Sequence, residues 1–382
     1  MTGGVAPTSA PVGIRGRTLV VVVATAAVLS ALIVSPAPPA GAAPSSAESL
    51  TDWIKQAQLP GGAITQFPDR TRIDPYLANY AALGLASAYG HHHRPLEIQA
   101  AWHWLGWYQR HMNGDGYVTD YTVGPGPEFA ESSTGDEDST DGYAGTFLMA
   151  LRRAYSSTAD RTELGTFRLG IRRATAAIRS TQQADGLTWA TPSYHVKLLM
   201  DQAEAYAGLR AAQFLAGVLR LPQLASTAAR SADRMEEGVS SLWQRSPGTV
   251  AYDRAKLEDG STAPSSWGVY YPDAVSQMWL VAIGDRLTPQ HPLVNKARAS
   301  RLVDAFEATW PQWDSPTGVA TYDSGSHTVE YWPMVAGAML VAGRRTQAVS
   351  GISSIERSAA RTGFAWPFSV AAAGQIETIG MS

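Results

Sequence analysis

A short phrase recurs six times along this chain of 382 residues: a glycine, a small or apolar stretch that often ends in an aromatic residue, and then a helical segment. The copies begin at Gly62, Gly116, Gly186, Gly248, Gly318 and Gly363. Repeats of this kind constrain the fold, because each unit buries its apolar face only against its neighbours. Six units of two helices each predict a closed ring of helical hairpins, with the glycine turns gathered at one end around a central cavity.

The two helical segments of each unit differ in character. The segment before a glycine carries charged residues on one face, as in 160–182, and this favours an outer position. The segment after a glycine is apolar nearly all round and rich in alanine, as in 197–219, and this favours a closely packed inner position. These patterns predict an all-α fold, an (α/α)6 toroid, with β-pairs of at most two or three residues. An open helical solenoid is the alternative.

The N-terminus has the order of an export signal. Arg15 and Arg17 precede an apolar run at 19–34, and small residues follow in an A-x-A pattern that ends at Ala42. We expect residues 1–43 to be a signal peptide, with an uncleaved signal anchor as the alternative. Residues 44–50 would then be a disordered tether and residues 51–382 a single toroid domain. The folded part is expected to be extracellular or in the cell envelope, with membrane contact only through an uncleaved N-terminal segment.

The composition narrows the range of functions. There is no cysteine, which excludes a cysteine-ligated metal site and a thiol nucleophile. The net charge of −3 gives no electrostatic footprint for nucleic acid. The 12 tryptophans and 15 tyrosines would suit sugar rings, which stack on exposed aromatic side chains. We therefore expect a carbohydrate ligand, no cofactor, no bound metal and a monomeric domain.

Acidic residues cluster where the predicted inner helices begin. They are Asp74, Asp141, Asp201, Asp273 and Glu330. A single acid there caps free N–H groups, and capping accounts for Asp74. Asp138 with Asp141, and Asp201 with Glu204, are spaced by three residues, which places both carboxylates of each pair on one helix face. If the turns share one end of the ring, these acids converge on one cavity, as acid–base cleavage of a glycosidic bond requires.

The segment 135–151, GDEDSTDGYAGTFLMAL, resembles the acidic helix start of six-hairpin glycosidases and, more distantly, that of family 8 glycoside hydrolases. The segments 73–85, 200–212 and 270–279 are similar to those of a bacterial exported group in that superfamily, and the resemblance covers roughly residues 50–350. It implies that Asp138 and Asp141 are a catalytic or substrate-binding pair. It also implies that the same cavity is lined by Asp201, Glu204, Tyr271 and Asp273.

The chain departs from family 8 in one respect, because it lacks the usual Glu-Gly segment that carries the general acid. Three glutamates of the long polar stretch 123–140 could substitute: Glu128, Glu131 and Glu137.

These observations together predict an exported glycoside hydrolase that acts on an oligo- or polysaccharide by inversion. In that mechanism one carboxyl protonates the leaving oxygen and a carboxylate activates water, with the two about 6.5–9.5 Å apart. We assign Asp141 and Asp273 as the catalytic pair. The predicted substrate-binding residues are Asp138, Asp201, Glu204, Tyr143, Tyr271 and Trp189.

Other interpretations of the same residues stay open. A polysaccharide lyase could use a tyrosine or histidine base from the set Tyr143, Tyr206, Tyr271 and His195. A glycan-binding or envelope protein could keep the toroid without catalysis, because a fold does not determine a function. The acidic stretch 136–141 could also hold a calcium ion, although its spacing does not match an EF-hand.

Overall fold

A computed structural model describes residues 47–66, 69–244, 249–286, 292–314 and 333–362. The predicted signal segment 1–43, the three turns at Gly248, Gly318 and Gly363, and Glu330 lie outside the described residues. The first helix begins at Ala47, so the last residues of the predicted tether 44–50 are helical.

Twelve helices are described. They are α1 (Ala47–Gln56), α2 (Pro75–His92), α3 (Pro95–His111), α4 (Thr140–Thr158), α5 (Arg161–Thr166), α6 (Arg168–Thr181), α7 (Leu199–Val218), α8 (Pro222–Ser241), α9 (Val275–Arg286), α10 (Lys296–Thr309), α11 (Met334–Val341) and α12 (Arg345–Thr362). One wide helical turn, Tyr270–Ala274, leads into α9. None of the helices in the described ranges is both long and apolar enough to cross a membrane.

The helices form an inner and an outer layer. In the inner layer α2 packs on α4, α4 on α7, α7 on α9 and α9 on α11. Each inner helix has an outer partner: α3, α6, α8, α10 and α12 pack beside them in that order. The helices that follow the glycine turns are the inner ones, as their apolar composition predicts. The all-α prediction is confirmed.

The first and fourth hairpins meet at the centre of the molecule. The rings of Tyr80 on α2 and Trp279 on α9 lie 5.9 Å apart, edge to face. In an open solenoid each repeat contacts only its neighbours in sequence. Contact between the first and fourth repeats therefore requires the helices to curve around a common centre, which is the toroid arrangement and not the open solenoid.

The three described glycine turns have the same geometry. Gly62, Gly116 and Gly186 have φ angles of +100°, +92° and +86°. A Cβ atom on them would lie 2.6, 2.2 and 2.0 Å from the carbonyl oxygens of His103, Arg173 and Arg234. Both the left-handed backbone and the missing space require glycine. Each turn is thereby packed against the outer helix of the next hairpin.

The inner helices approach each other through small residues. A Cβ on Gly208 of α7 would lie 2.5 Å from the Cα of Gly145 on α4, and a Cβ on Gly145 would lie 2.6 Å from the carbonyl oxygen of Glu204. The two backbones are therefore in direct contact. This contact brings the first turns of α4 and α7, which carry the predicted acids, close together.

Two small antiparallel sheets stand at the turn end of the helices. Strands β1 (Arg72–Ile73), β2 (Tyr121–Val123) and β3 (Glu131–Ser133) form one, and β4 (Lys197–Leu198), β5 (Ala255–Lys256) and β6 (Thr262–Ala263) form the other. Tyr121 pairs with Ser133 in the first sheet, and Lys197 with Lys256 in the second. Part of the long polar stretch 123–140 is thus a β-hairpin arm. The strands have two or three residues each, as predicted.

Candidate functional site

Glu204, on the second turn of α7, lies where α2, α7 and α9 meet. Its side chain is buried, and its Oε1 accepts hydrogen bonds from the hydroxyl of Tyr76 at 2.6 Å, the hydroxyl of Tyr80 at 2.5 Å and Nε1 of Trp279 at 3.0 Å. Its Oε2 is buried and has no hydrogen-bond partner among the described residues. A buried carboxylate oxygen without a donor is costly, so this atom is suited to receive a donor from a ligand.

Asp201 lies one turn before Glu204 on the same face of α7. It is 9 % exposed, and its Oδ2 is buried without a hydrogen-bond partner in the described part of the chain. Burial raises the pKa of Asp201 well above its usual range, and the negative charges of Asp141, Glu204 and Asp138 raise it further. Asp201 therefore retains its proton at pH values where an exposed aspartate is ionised.

Asp138 lies two residues before the start of α4. Its side chain is exposed to solvent and makes no hydrogen bond to a described residue. Its charge nevertheless raises the pKa values of Asp201 and Glu204, so the three carboxyl groups share one electrostatic environment. Crowding by protein atoms, and then the charge of Asp120, raise the pKa of Asp138 itself to about 6. It is the member of this group that water can reach.

Asp141 completes what we term the carboxylate cluster: Asp138, Asp141, Asp201 and Glu204. It is fully buried, and Oδ2 accepts a hydrogen bond from Oγ1 of Thr188 at 2.5 Å. Its Oδ1 accepts from the backbone N–H of Gly142 at 2.9 Å. Burial raises the pKa of Asp141 to about 8. Thr188, which sequence reasoning did not single out, lies two residues after Gly186 in the repeated turn.

Asp273, the other half of the predicted catalytic pair, is buried in protein contacts. Nη1 of Arg254 lies 2.9 Å from Oδ1, and the backbone N–H of Ser266 donates to Oδ2 at 2.8 Å. All four carboxylate oxygens of Asp141 and Asp273 are thus hydrogen-bonded within the protein. The structure brings Asp138, Asp141, Asp201 and Glu204 together, and gives Asp273 an ion pair of its own.

A second acidic group adjoins the cluster near β1 and β2. Asp120, which the sequence reasoning missed, accepts from Nη2 of Arg72 at 2.6 Å and from the hydroxyl of Tyr143 at 2.8 Å. Asp74 caps α2 as predicted, accepting from the N–H of Leu77 at 3.1 Å. Burial and the charge of Asp120 raise the pKa of Asp74 to about 7. The sequence offered one indication of this role, because Asp120 belongs to the repeated turn phrase that begins at Gly116.

The predicted aromatic residues occupy different places. Tyr143 is buried and stacks on Tyr76, with ring centroids 6.0 Å apart, so it lies beside Glu204. Trp189 is half-buried and stacks at 3.8 Å on the ring of His195. Tyr271 is half-buried and packs against the hydrophobic core. Tyr143 is thus tied by direct contact to the residues around Glu204.

The three glutamates of the long polar stretch have separate surroundings. Glu131 accepts from Nε1 of Trp107 at 2.8 Å and lies 3.3 Å from Nε2 of His111, which fastens β3 to α3. Glu137 accepts from the hydroxyl of Thr140, and burial raises its pKa to about 7. Glu128 lines a surface pocket of about 310 Å³.

A neighbouring surface pocket of about 360 Å³ shares the Gly61 backbone with the one at Glu128. Neither pocket is lined by the carboxylate cluster. Within the described ranges, no group of three or more histidine, aspartate or glutamate side chains is arranged to hold a metal ion.

No protein-family model matches the chain, and no curated protein matches its sequence. Among solved structures, the chain is similar to a GH63 mannosylglycerate hydrolase from Thermus thermophilus in complex with glucose. The TM-score is 0.62 at 14% identity, over 87% of this chain and 100% of that one. A β-1,3-1,4-glucanase from a Paenibacillus species gives a TM-score of 0.58 at 12% identity, over 87% of this chain and 91% of that one.

A D-mannose isomerase is also similar, with a TM-score of 0.55 at 12% identity over 86% of this chain and 95% of that one. At these identities the likeness shows the fold, which is that of toroid glycosidases. The presence of an isomerase on the same fold means that the reaction must be argued from the carboxylate cluster itself.

Proposed function

We propose that this protein is an exported glycoside hydrolase that cleaves an oligo- or polysaccharide with two carboxyl groups of the cluster. One observation carries the proposal. The water-accessible, unpartnered Asp138 shares its electrostatic environment with the buried Asp201, whose pKa lies well above its usual range. Two carboxyl groups whose surroundings favour opposite protonation states are what acid–base hydrolysis of a glycoside needs.

Asp138 is assigned as the general base. With a pKa of about 6 it is largely ionised near neutral pH, and its oxygens are free to accept a proton from an attacking water. Asp201 is assigned as the general acid, because burial and three neighbouring acids keep it protonated. A water activated by one carboxylate, with proton donation by the other, is a single displacement and inverts the anomeric centre.

The pair that the sequence favoured, Asp141 with Asp273, has less support from the contacts. Both oxygens of Asp273 are occupied by Arg254 and the N–H of Ser266, and Oδ2 of Asp141 is occupied by the hydroxyl of Thr188. In the present proposal Asp141 is a positioning residue, because its hydrogen bonds to Thr188 and to the N–H of Gly142 hold the first turn of α4 against the turn at Gly186. Glu204, Tyr76 and Tyr143 would contact the sugar.

Export rests on the N-terminal segment 1–43, whose charged, apolar and small-residue parts follow the order of a signal peptide. Mass spectrometry of the protein recovered from the culture medium, compared with the cell fraction, would test this. A mature chain that begins near Ala43 supports cleavage, and a full-length chain in the membrane fraction supports a signal anchor.

The reaction is tested with paired variants on a panel of glycans. We expect Asp138→Asn and Asp201→Asn each to lower the release of reducing ends by about 10²–10⁴-fold. Asp136→Asn is the matched control, because Asp136 is an exposed acid of the same segment and should leave the rate unchanged. Full activity in both cluster variants would rule out the assignment.

The products separate the competing functions. Release of reducing ends, with the inverted anomer first in a proton NMR time course, supports the proposed hydrolysis. A new C=C bond in the product would indicate a lyase, and interconversion of free monosaccharides an isomerase. Binding without any product would indicate a glycan-binding protein.

A further inference from the structure

Two adjoining surface pockets take no part in the proposed reaction. Both are lined by Pro60 and Gly61, so they lie side by side along the turn at Gly62. Their volumes of about 360 and 310 Å³ are in the range of small-molecule sites, roughly 300–1,000 Å³. We term the two pockets together the outer groove. Since the carboxylate cluster lines neither half, the outer groove is a separate feature of the surface.

Trp102 gives the larger pocket an aromatic wall. It lies on α3, is half-buried, and stacks on Phe167 with ring centroids 5.6 Å apart. This contact holds the indole in place, while its Nε1–H makes no hydrogen bond to a described residue. Gly106, one turn further along the same helix face, lines the pocket without a side chain. The space beside the indole is therefore open to a ligand.

Polar side chains beside the indole are available to a ligand. The carboxylate of Glu163 and the imidazole of His103 line the larger pocket and make no hydrogen bond to a described residue. Arg110, which lines it too, already donates to the carbonyl oxygen of Gly61 at 2.9 Å. An aromatic wall with free polar groups beside it suits a sugar ring, because the ring packs on the aromatic and its hydroxyls donate and accept.

Phe129 gives the smaller pocket an aromatic side chain of its own. It lies between β2 and β3, is half-buried, and has the guanidinium of Arg70 5.5 Å from its ring centroid. Its φ of +46° is uncommon for a bulky residue, and backbone strain of this kind concentrates at ligand-binding sites. The neighbouring Glu128 is exposed and makes no hydrogen bond to a described residue.

The two halves of the outer groove thus repeat one arrangement, an aromatic ring beside a free carboxylate. Trp102 is accompanied by Glu163, and Phe129 by Glu128. The free carboxylates disfavour a phosphate, a sulfate or a uronic acid. Neutral hydroxyl groups are suited to them, because a hydroxyl donates a charge-assisted hydrogen bond to a carboxylate. A ligand that fills both halves needs more than one ring.

We propose that the outer groove binds a neutral oligosaccharide chain, with one sugar ring against Trp102 and another against Phe129. The inference rests on the proposed function for its role alone: a second site for the same polysaccharide raises the effective concentration of substrate at the carboxylate cluster. Binding itself does not depend on hydrolysis.

Tryptophan indole signals locate the bound ligand. In protein labelled with ¹⁵N-tryptophan, the Nε1–H signal of Trp102 reports on the outer groove, and that of Trp279, which donates to Glu204, reports on the cluster. Trp102→Phe identifies the first signal by its loss. The probes are maltohexaose, cellohexaose, laminarihexaose and mannohexaose, and we expect at least one to shift the Trp102 signal. If none of them does, the inference is wrong.

Gly106→Gln fills the larger pocket and leaves every aromatic side chain in place. A Cβ on Gly106 would lie 3.3 Å from Nη1 of Arg110, the end of a flexible side chain, so the fold should be retained. We expect the affinity for the hexasaccharide, measured from the Trp102 signal, to fall at least about tenfold with the loss of one ring contact. Gly217→Gln is the matched control, since a Cβ on Gly217 meets nothing within 4 Å, and it should bind as the wild type does. Unchanged affinity in Gly106→Gln would overturn the inference.

Phe129→Ala tests whether one ligand spans both halves. It should weaken binding of the hexasaccharide about tenfold, whereas a disaccharide of the same linkage, which reaches only Trp102, should bind as it does to the wild type. Equal affinity of the wild type and Phe129→Ala for the hexasaccharide would contradict a ligand that spans the outer groove.

The outcomes separate this inference from the proposed hydrolysis. A shift of the Trp102 signal, without cleavage of any oligosaccharide, would support the inference and contradict the hydrolase. Cleavage with an unshifted Trp102 signal would support the hydrolase and contradict the inference. If both hold, Gly106→Gln should raise the KM for the polysaccharide and leave kcat unchanged.

Discussion

Tyr80 and Trp279 donate hydrogen bonds to the same oxygen of Glu204, although they lie 199 positions apart in the chain. Their rings meet edge to face at 5.9 Å. The first, third and fourth hairpins therefore converge on one carboxylate. The curvature of the helical ring allows this convergence. The contact between Tyr80 and Trp279 therefore joins the first and fourth hairpins and also orients the carboxylate of Glu204.

Removal of one donor should raise the pKa of Glu204 from its value of about 7. The hydrogen bonds from Tyr76, Tyr80 and Trp279 each favour the ionised form. Trp279→Phe keeps an aromatic ring but lacks the donor, and a bond of this kind is worth about 0.5–1 pKa unit. NMR titration of ¹³C-labelled glutamate carboxyl groups would measure the shift, with Glu204→Gln to assign the signal.

The control for this prediction is Tyr155→Phe on α4, because the hydroxyl of Tyr155 makes no hydrogen bond to a described residue. It should leave the titration of Glu204 unchanged. A pKa of Glu204 that falls in Trp279→Phe would contradict the hydrogen-bond argument.

The sequence allowed the turns and layers to be predicted because their signals are local. A glycine with φ near +90° is required wherever the turn phrase is described, and apolar composition alone distinguishes inner from outer helices. Asp74 as the cap of α2 is another local signal, an acid placed directly before a proline. Each of these features depends on residues within a few positions.

The partners of the carboxylates could not be predicted in this way. Whether Asp273 is free or paired depends on Arg254, which lies across a loop, and the state of Asp141 depends on Thr188 of the next turn. The acids could be located at the helix starts, but local pattern does not show which of their oxygens are already satisfied. Long-range side-chain pairing decides that, and it appears only in three dimensions.

The contact between α4 and α7 should not tolerate a methyl group. Gly208→Ala would place Cβ 2.5 Å from the Cα of Gly145, and backbone atoms cannot move aside as a side chain can. We expect a loss of about 1–3 kcal/mol in the free energy of unfolding, measured by urea denaturation. Gly217→Ala is the matched control on the same helix, since its Cβ meets nothing within 4 Å.

Gly217→Ala should be neutral or stabilising by up to about 1 kcal/mol, because alanine is the better helix former. If both alanine variants were equally stable, the description of a close backbone contact between α4 and α7 would be wrong.

Replacing the glycine of the repeated turn phrase should lower the free energy of unfolding, whereas replacing a glycine just outside the phrase should not. Gly116→Ala meets both a φ of +92° and a clash at 2.2 Å with the carbonyl oxygen of Arg173. It should lower the unfolding free energy by more than about 1 kcal/mol. Gly114→Ala, two residues earlier, meets nothing within 4 Å and should change it by less than about 0.5 kcal/mol. Thermal denaturation of the two variants in parallel distinguishes them.

Stability should fall as the pH rises from about 4 to about 8. Burial raises the pKa of Asp141 to about 8 and those of Asp74 and Glu204 to about 7, whereas the unfolded chain ionises them at about pH 4. The folded state therefore holds more protons in this window, and the stability that these acids contribute is complete below the unfolded pKa and is lost as the pH rises through the folded pKa. Asp141→Asn resembles the protonated acid in shape and can still bond to Thr188. Its melting temperature should therefore decline less between about pH 5 and about pH 8 than that of the wild type. A wild-type melting temperature that rises across this window would contradict the buried, protonated state of these acids.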